Sequence, residues 1–201
     1  MADTAVPFQC ACGSVRGEVQ PRAAYGRVTC YCRDCQAFAR TLGRAGDVLD
    51  EHGGTDIVAM QPAGLRFTEG EDHVVCLSLS PKGTLRWHSA CCDMPIANTG
   101  RNPKLPYVGL LAAGISAAGA DMDASFGRRR MVVNAGSAVG EVQSPRLRTA
   151  LGVARIIAGV LAAKLRGGHR DNPFFAPDGT RPRAEPRILT REERAAATPG
   201  N

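Results

Sequence analysis

Seven of the eight cysteines in this 201-residue chain stand in three short clusters: Cys10 and Cys12; Cys30, Cys32 and Cys35; Cys91 and Cys92. His88 lies three residues before Cys91. Zinc takes four thiolate or imidazole ligands in a tetrahedron, commonly as two close pairs delivered by separate turns. Cys10, Cys12, His88 and Cys91 make one complete set of this kind, and a closed set is structural. Cys30, Cys32 and Cys35 offer only three thiolates. Three protein ligands and one open position is the arrangement that keeps a metal available to water or substrate, so chemistry is expected at this second zinc site. Cys92 fits three roles: a spare thiol beside the first site, a replacement ligand should His88 point away, or a small core residue. Cys76, alone in an apolar run of strand type, reads as a buried hydrophobe.

Disulfides are the competing use of so many cysteines. Residues 1–30 contain no basic stretch followed by an apolar one, so export is not indicated and a reducing, cytoplasmic setting is expected. Cysteines two apart also meet the geometry of a disulfide poorly. The spacing fits neither common ferredoxin run, which argues against an iron–sulfur cluster.

The elements that must position these ligands are short. Twenty-three glycines and few aromatic residues suit strands joined by tight turns better than a helical bundle. Residues 14–19 and 27–30 read as strands next to cysteine pairs, and 34–42 as a helix with Cys35 at its start, where the peptide dipole favours a thiolate. Strand-like runs at 56–60, 65–68, 74–79 and 84–87, separated by turn signals, predict an antiparallel meander that delivers His88 to the first site. Residues 107–120 are apolar but glycine-laced and read as core strand and turn, too short and interrupted to cross a membrane. Between 145 and 166, Leu147, Leu151, Ala154, Ala158, Leu161 and Leu165 share one helix face, opposite Arg148, Arg155 and Arg166. That helix is expected to pack its leucine face on the β core. The division expected is therefore a zinc-binding β domain over 1–143, an amphipathic helix over 144–168 and a Pro/Arg-rich, partly disordered tail over 169–201.

The order CACGSVRGEV, CYCRDCQ, LRFTEGED, LRWHSACCDMPI resembles the glutathione-dependent formaldehyde-activating enzyme family, which includes the centromere protein V group. The likeness covers about the first 100 residues. It implies a small, mostly β, zinc-stapled "β-tent" fold, with Cys10, Cys12, His88 and Cys91 on a structural zinc and Cys30, Cys32 and Cys35 on the catalytic one. Three positions depart from the family pattern: His88 replaces a cysteine, Cys92 a glycine, and Tyr31 a histidine. Imidazole for thiolate is a mild exchange. Tyrosine is a poor proton carrier near neutral pH, so a histidine-based step would be weakened, and a divergent member with another substrate is expected.

The resemblance implies carbon–sulfur lyase chemistry on a thiol–aldehyde adduct such as S-hydroxymethylglutathione, formed from glutathione and formaldehyde. The alternative is a non-catalytic, zinc-stapled binding or scaffold module. Tyr31 and Arg33 are candidate substrate contacts, with Arg40 and Arg44 further along the same segment. The formal charge of +6 resides in the C-terminal part: residues 1–144 carry 14 basic and 14 acidic side chains, residues 145–201 carry 11 and 5. With a charge-balanced cysteine region, few aromatics for base stacking and no two-cysteine, two-histidine finger spacing, nucleic acid is not the expected partner despite Arg128-Arg129-Arg130. Membrane-surface contact through the basic helix is likewise not favoured, and the sequence leaves the oligomeric state open.

Overall fold

The computed structural model describes residues 4–128 and 130–198, Arg130 by its backbone alone. Arg129 of the basic triplet, and the outermost ends of the first and third expected segments, lie outside the described residues. In chain order the strands are β1 (Val6–Gln9), β2 (Arg16–Val19), β3 (Ala24–Cys30), β4 (Thr55–Met60), β5 (Leu65–Glu69), β6 (Val74–Ser78), β7 (Leu85–Ser89), β8 (Pro95–Thr99), β9 (Val108–Leu111), β10 (Arg130–Val133) and β11 (Arg187–Ile188). The helices are α1 (Arg33–Thr41), α2 (Ala45–Val48), α3 (Ala112–Ala117), α4 (Met122–Phe126), α5 (Arg146–Leu165) and α6 (Arg191–Ala197). The protein is mostly β with a C-terminal helix, as expected.

The strands form a small sheet, β1-β2-β5, and a large one, β10-β3-β4-β9-β8-β7-β6-β11. The outermost pairings of the large sheet, β10 with β3 and β11 with β6, are parallel; the others are antiparallel. The meander expected through β4, β5, β6 and β7 is not continuous. β5 leaves to pair with β2 in the small sheet, and the uninterrupted meander is β6-β7-β8-β9. Strand periodicity marks a strand but not its neighbour, which depends on which sheet buries its apolar face. The 107–120 stretch is half strand and half helix: β9 runs directly into α3, whose Gly114 faces Phe8 so closely that a Cβ there would stand 2.2 Å from the ring.

The two sheets close on an aromatic seam. Phe8 and Phe67 come from the small sheet and Trp87 from the large one, and Phe174 sits between them, 5.8 Å from Phe67 and 5.0 Å from Trp87 by ring centroid. The Trp87 indole donates to Thr99 Oγ1 at 2.9 Å, so its one polar atom is satisfied. Phe174 belongs to the tail expected to be partly disordered. Within it, Phe174 and Phe175 are buried, β11 pairs with β6, and α6 starts on a capping box in which Thr190 and Glu193 satisfy each other's backbone N–H. Pro and Arg content reads as disorder only when averaged over the segment; two phenylalanines and a capped helix supply local anchors.

Helix α5 forms where expected and lies against β3 and β10, but on the other face. Gly152, Ile156, Gly159 and buried Ala163 point inward, with Gly152 against Met131 and Gly159 against Tyr25. The leucine face points outward, and Leu147, Leu151, Leu161 and Leu165 are exposed. Close approach of helix to sheet favours the small face. A Cβ at Gly159 would stand 2.5 Å from the Tyr25 ring, which leaves no depth for a leucine. Arg27 on β3 is buried and links β4 to α4 through ion pairs of 2.6 Å to Asp56 on β4 and Asp123 on α4. No helix among the described residues is long and apolar enough to cross a membrane.

Candidate metal centres

The first centre is built by two turns. After β1, Cys10 to Gly13 form a tight turn in which Gly13, at φ +75°, donates to the Cys10 carbonyl at 3.0 Å, and Val15 N–H points at the Cys10 sulfur at 3.3 Å. After β7, Ser89 to Met94 fold back on themselves: Asp93 N–H donates to the Ser89 carbonyl and Met94 N–H to Ser89 Oγ. Asp93 has φ +54°, in the left-handed region, which aspartate and asparagine enter more readily than other non-glycine residues. That turn throws Cys91 and Cys92 onto the first pair. The sulfur separations are 3.5 Å for Cys10–Cys12, 3.7 Å for Cys10–Cys91 and 3.2 Å for Cys12–Cys91, and the four sulfurs including Cys92 lie within 4.8 Å of one another. A zinc tetrahedron with bonds of about 2.3 Å has edges of about 3.8 Å, so the set fits such an ion. Hydrogen bonds with the Ser14 side chain and backbone lower Cys12 to about 6, which eases formation of the thiolate a metal needs.

His88 does not join this set. It lies on β7 where the pairing with β8 slips by a residue between Trp87 and His88, and its Nδ1 is 3.5 Å from Asp93 Oδ1. Burial lowers its pKa. The structure thus groups Cys92, and not the expected His88, with Cys10, Cys12 and Cys91. The physical reason is the turn: residues inside it can converge on Cys10 and Cys12, whereas His88 is still held by the strand ladder.

The second centre joins the end of β3 to the start of α1. Cys30 closes the strand, Cys32 caps the helix by accepting from Cys35 N–H at 3.4 Å, and Cys35 lies in its first turn. All three sulfurs lie within 4.8 Å of one another, with Cys30 and Cys35 at 3.9 Å, and no other cysteine, histidine or acidic ligand among the described residues joins the group. Hydrogen bonds from Cys32 and Cys35, then Asn134, hold Cys30 far below the usual thiol range, while Cys35 is pushed up by Cys30, Cys32 and burial. One thiolate shared by its neighbours is the arrangement a cation would complete.

Sequence reasoning missed the polar shell of this centre. Arg86, buried on β7, places Nη1 3.9 Å from the Cys35 sulfur and 3.1 Å from Asn98 Oδ1, with its guanidinium over the Phe38 ring at 5.3 Å. Asn134 donates to the Cys30 sulfur at 3.5 Å and has φ +57°. The two non-glycine residues described with positive φ, Asp93 and Asn134, therefore each stand at one cysteine cluster. Tyr107 lies close by, its hydroxyl raised to about 12 by burial and then by Cys30 and Cys35. A signal for Arg86 was present in the sequence: a charged residue flanked by Leu85 and Trp87 in a strand must find a partner if it is buried.

The expected substrate contacts fare differently. Tyr31 donates its hydroxyl to Asp50 Oδ2 at 3.0 Å, and its ring packs on Gly54. Arg33 and Arg40 are exposed on α1. Arg44 instead donates to the Cys92 carbonyl at 2.9 Å and pairs with Asp47, tying the segment after α1 to the first centre. Cys76 is buried in the core, where loss of solvent raises it to about 12. A cavity of about 510 Å³ between β3, α4 and α5 includes none of the cysteines.

Among curated proteins none matches the chain. A crystal structure of a Rhodobacter sphaeroides protein is similar at 18% identity and a TM-score of 0.42, over 62% of this chain and 97% of that one. A family model matches residues 2–184, nearly the whole sequence with both cysteine centres and α5 inside it, and on that match the chain belongs to the family of unknown function DUF6151.

Proposed function

We propose that the protein is a zinc-dependent, carbon–sulfur lyase-like enzyme that handles a thiol–aldehyde adduct such as S-hydroxymethylglutathione at Cys30, Cys32 and Cys35, while the four-cysteine centre is a structural zinc site. The observation that carries this reading is the convergence of three sulfurs, and of no fourth ligand among the described residues, beside a buried arginine. Zinc held by three thiolates supplies a soft electrophile for a thiolate sulfur. In the cleavage direction the hydroxyl proton of the adduct leaves to water, the C–O bond becomes a carbonyl, and the C–S electron pair passes to the departing thiolate; atoms and charge balance without a redox partner.

Arg86 offsets the net charge of about −1 that three thiolates and a divalent ion carry together. Asn134 fixes the Cys30 sulfur, and Tyr107, protonated at neutral pH, adds a donor near the thiols. Cys32 is half-buried and is the most solvent-accessible of the three, so approach is from its side. Burial of Cys30 and Cys35 favours a second reading, a purely structural staple in a binding or scaffold module.

Calorimetry with glutathione on the zinc-loaded protein and on Cys35→Ser, together with NMR exchange of the hydroxymethyl adduct, separates the two. Thiol binding lost in the variant, with accelerated exchange, supports the enzyme. No thiol binding by the native protein leaves the scaffold reading, and binding without exchange retains the site and discards formaldehyde as the aldehyde.

A further inference from the structure

The outward face of α5 carries a pattern that the fold of one chain does not use. Leu147, Leu151, Ala154, Ala158, Leu161 and Leu165 are spaced four and three residues apart in alternation, the a/d repeat of helices that pair with helices. All six are exposed, Leu147 at 75% and Leu165 at 90%. The inward face cannot exchange with it, since Cβ atoms at Gly152 and Gly159 would already stand 2.6 Å from Met131 and 2.5 Å from Tyr25.

The repeat is also its own reverse: from either end it runs Leu, Leu, Ala, Ala, Leu, Leu. A twofold contact demands that property, because where residue i meets residue j, j must meet i. Laid antiparallel on a second copy with the axis beside Ile156, Leu147 meets Leu165, Leu151 meets Leu161 and Ala154 meets Ala158. The alanines let the helices approach at the axis, and the leucines fill the layers on both sides.

We infer that α5 is a homodimerisation helix that pairs antiparallel with α5 of a second copy of this chain. The four exposed leucines and Ile157 present on the order of 600 Å² per copy, so the pair buries on the order of 1,200 Å², the lower end of a specific interface. The flanks carry Arg148, Arg155 and Lys164, and the helix has no acidic residue. Across an antiparallel pair these charges repel, so apolar burial drives association and added salt strengthens it. A cationic apolar helix also suits an anionic lipid surface. Lipid, however, requires neither a strict heptad period nor a self-reversing order, and the two central alanines would contribute little to insertion.

Sedimentation equilibrium of the full zinc-loaded chain, at low and high sodium chloride, tests this. The native protein is expected to be a dimer that tightens with salt. Leu151→Lys combined with Leu161→Lys should weaken association at least about tenfold, which is about 1.4 kcal/mol. Leu151→Lys combined with Leu161→Glu should restore it, because only the antiparallel arrangement sets each new cation against the new anion of the other copy. Both positions are exposed, and unchanged zinc content and circular dichroism verify that the variants fold. A native protein that stays monomeric at all micromolar concentrations overturns the inference, as does a Lys/Glu variant no better associated than the Lys/Lys one. A monomer that co-sediments with phosphatidylglycerol vesicles and is released by salt also overturns it, in favour of lipid.

Discussion

Substituting His88 and Cys92 one at a time distinguishes the four-sulfur group of the structure from the ligand set the spacing predicts. Cys92→Ser removes a sulfur from a group whose members lie within 4.8 Å of one another, whereas His88→Ala removes a ring that faces Asp93. Metal analysis after gel filtration should therefore find about one zinc fewer per chain in the first variant and no loss in the second. Loss of zinc from His88→Ala with retention in Cys92→Ser would return the histidine to the centre. At the second centre, Arg86→Met keeps the volume over Phe38 but removes the positive charge beside Cys35. Zinc affinity at the three-cysteine site is expected to fall about 10- to 100-fold, as for other outer-shell partners of metal ligands, while the four-cysteine site holds its zinc. Competition with a chromophoric chelator reads both steps, and a single unchanged step in the variant would remove Arg86 from the site.

At the scale of the element, α5 and the tail give opposite lessons about apolar residues. The leucine stripe is the more hydrophobic face of α5, yet glycines decide which face turns inward because the sheet comes too close for anything larger. Gly159→Leu should cost about 1–3 kcal/mol by forcing the helix off Tyr25, measured as a lower denaturation midpoint. An unchanged midpoint would place the helix on its other face. The tail is poor in apolar residues but sets Phe174 between the two sheets. Phe174→Ala is expected to destabilise the protein by about 3–5 kcal/mol. A change within about 0.5 kcal/mol, the ordinary range for a surface position, would show that Phe174 does not anchor the tail.

For the whole molecule, the first centre brings together parts that the strand ladders leave separate, whereas the second lies within residues 30–35. The first ties the turn after β1 in the small sheet to the turn after β7 in the large sheet, and Arg44 links the segment after α1 to that same turn through the Cys92 carbonyl. Metal binding to ligands from separate turns is folding free energy, because the unfolded chain has no preformed site. Chelation should thus lower the melting temperature in one cooperative step. Cys12→Ser should do the same, while Cys32→Ser should leave most of the stability, since serine also caps α1 and the three ligands lie within one strand-to-helix junction. A Cys12→Ser protein that melts with the native one would refute the structural role.

What the sequence determined by itself is local. Cysteine spacing named six thiols in two groups that could hold a metal and left Cys92 open, alternation placed β2 to β7 within a few residues, and apolar periodicity marked α5 from end to end. Spacing, alternation and helical period are properties of neighbours in the chain, so they are written where they act. Which of Cys92 and His88 faces Cys10, which sheet takes β5, which face of α5 meets β3, and which charge stands by Cys35 all depend on segments tens of residues apart. Those were decided only by tertiary structure: by a turn through Asp93 in the left-handed region, by the space two glycines leave open, and by the partner that burial of Arg86 demands.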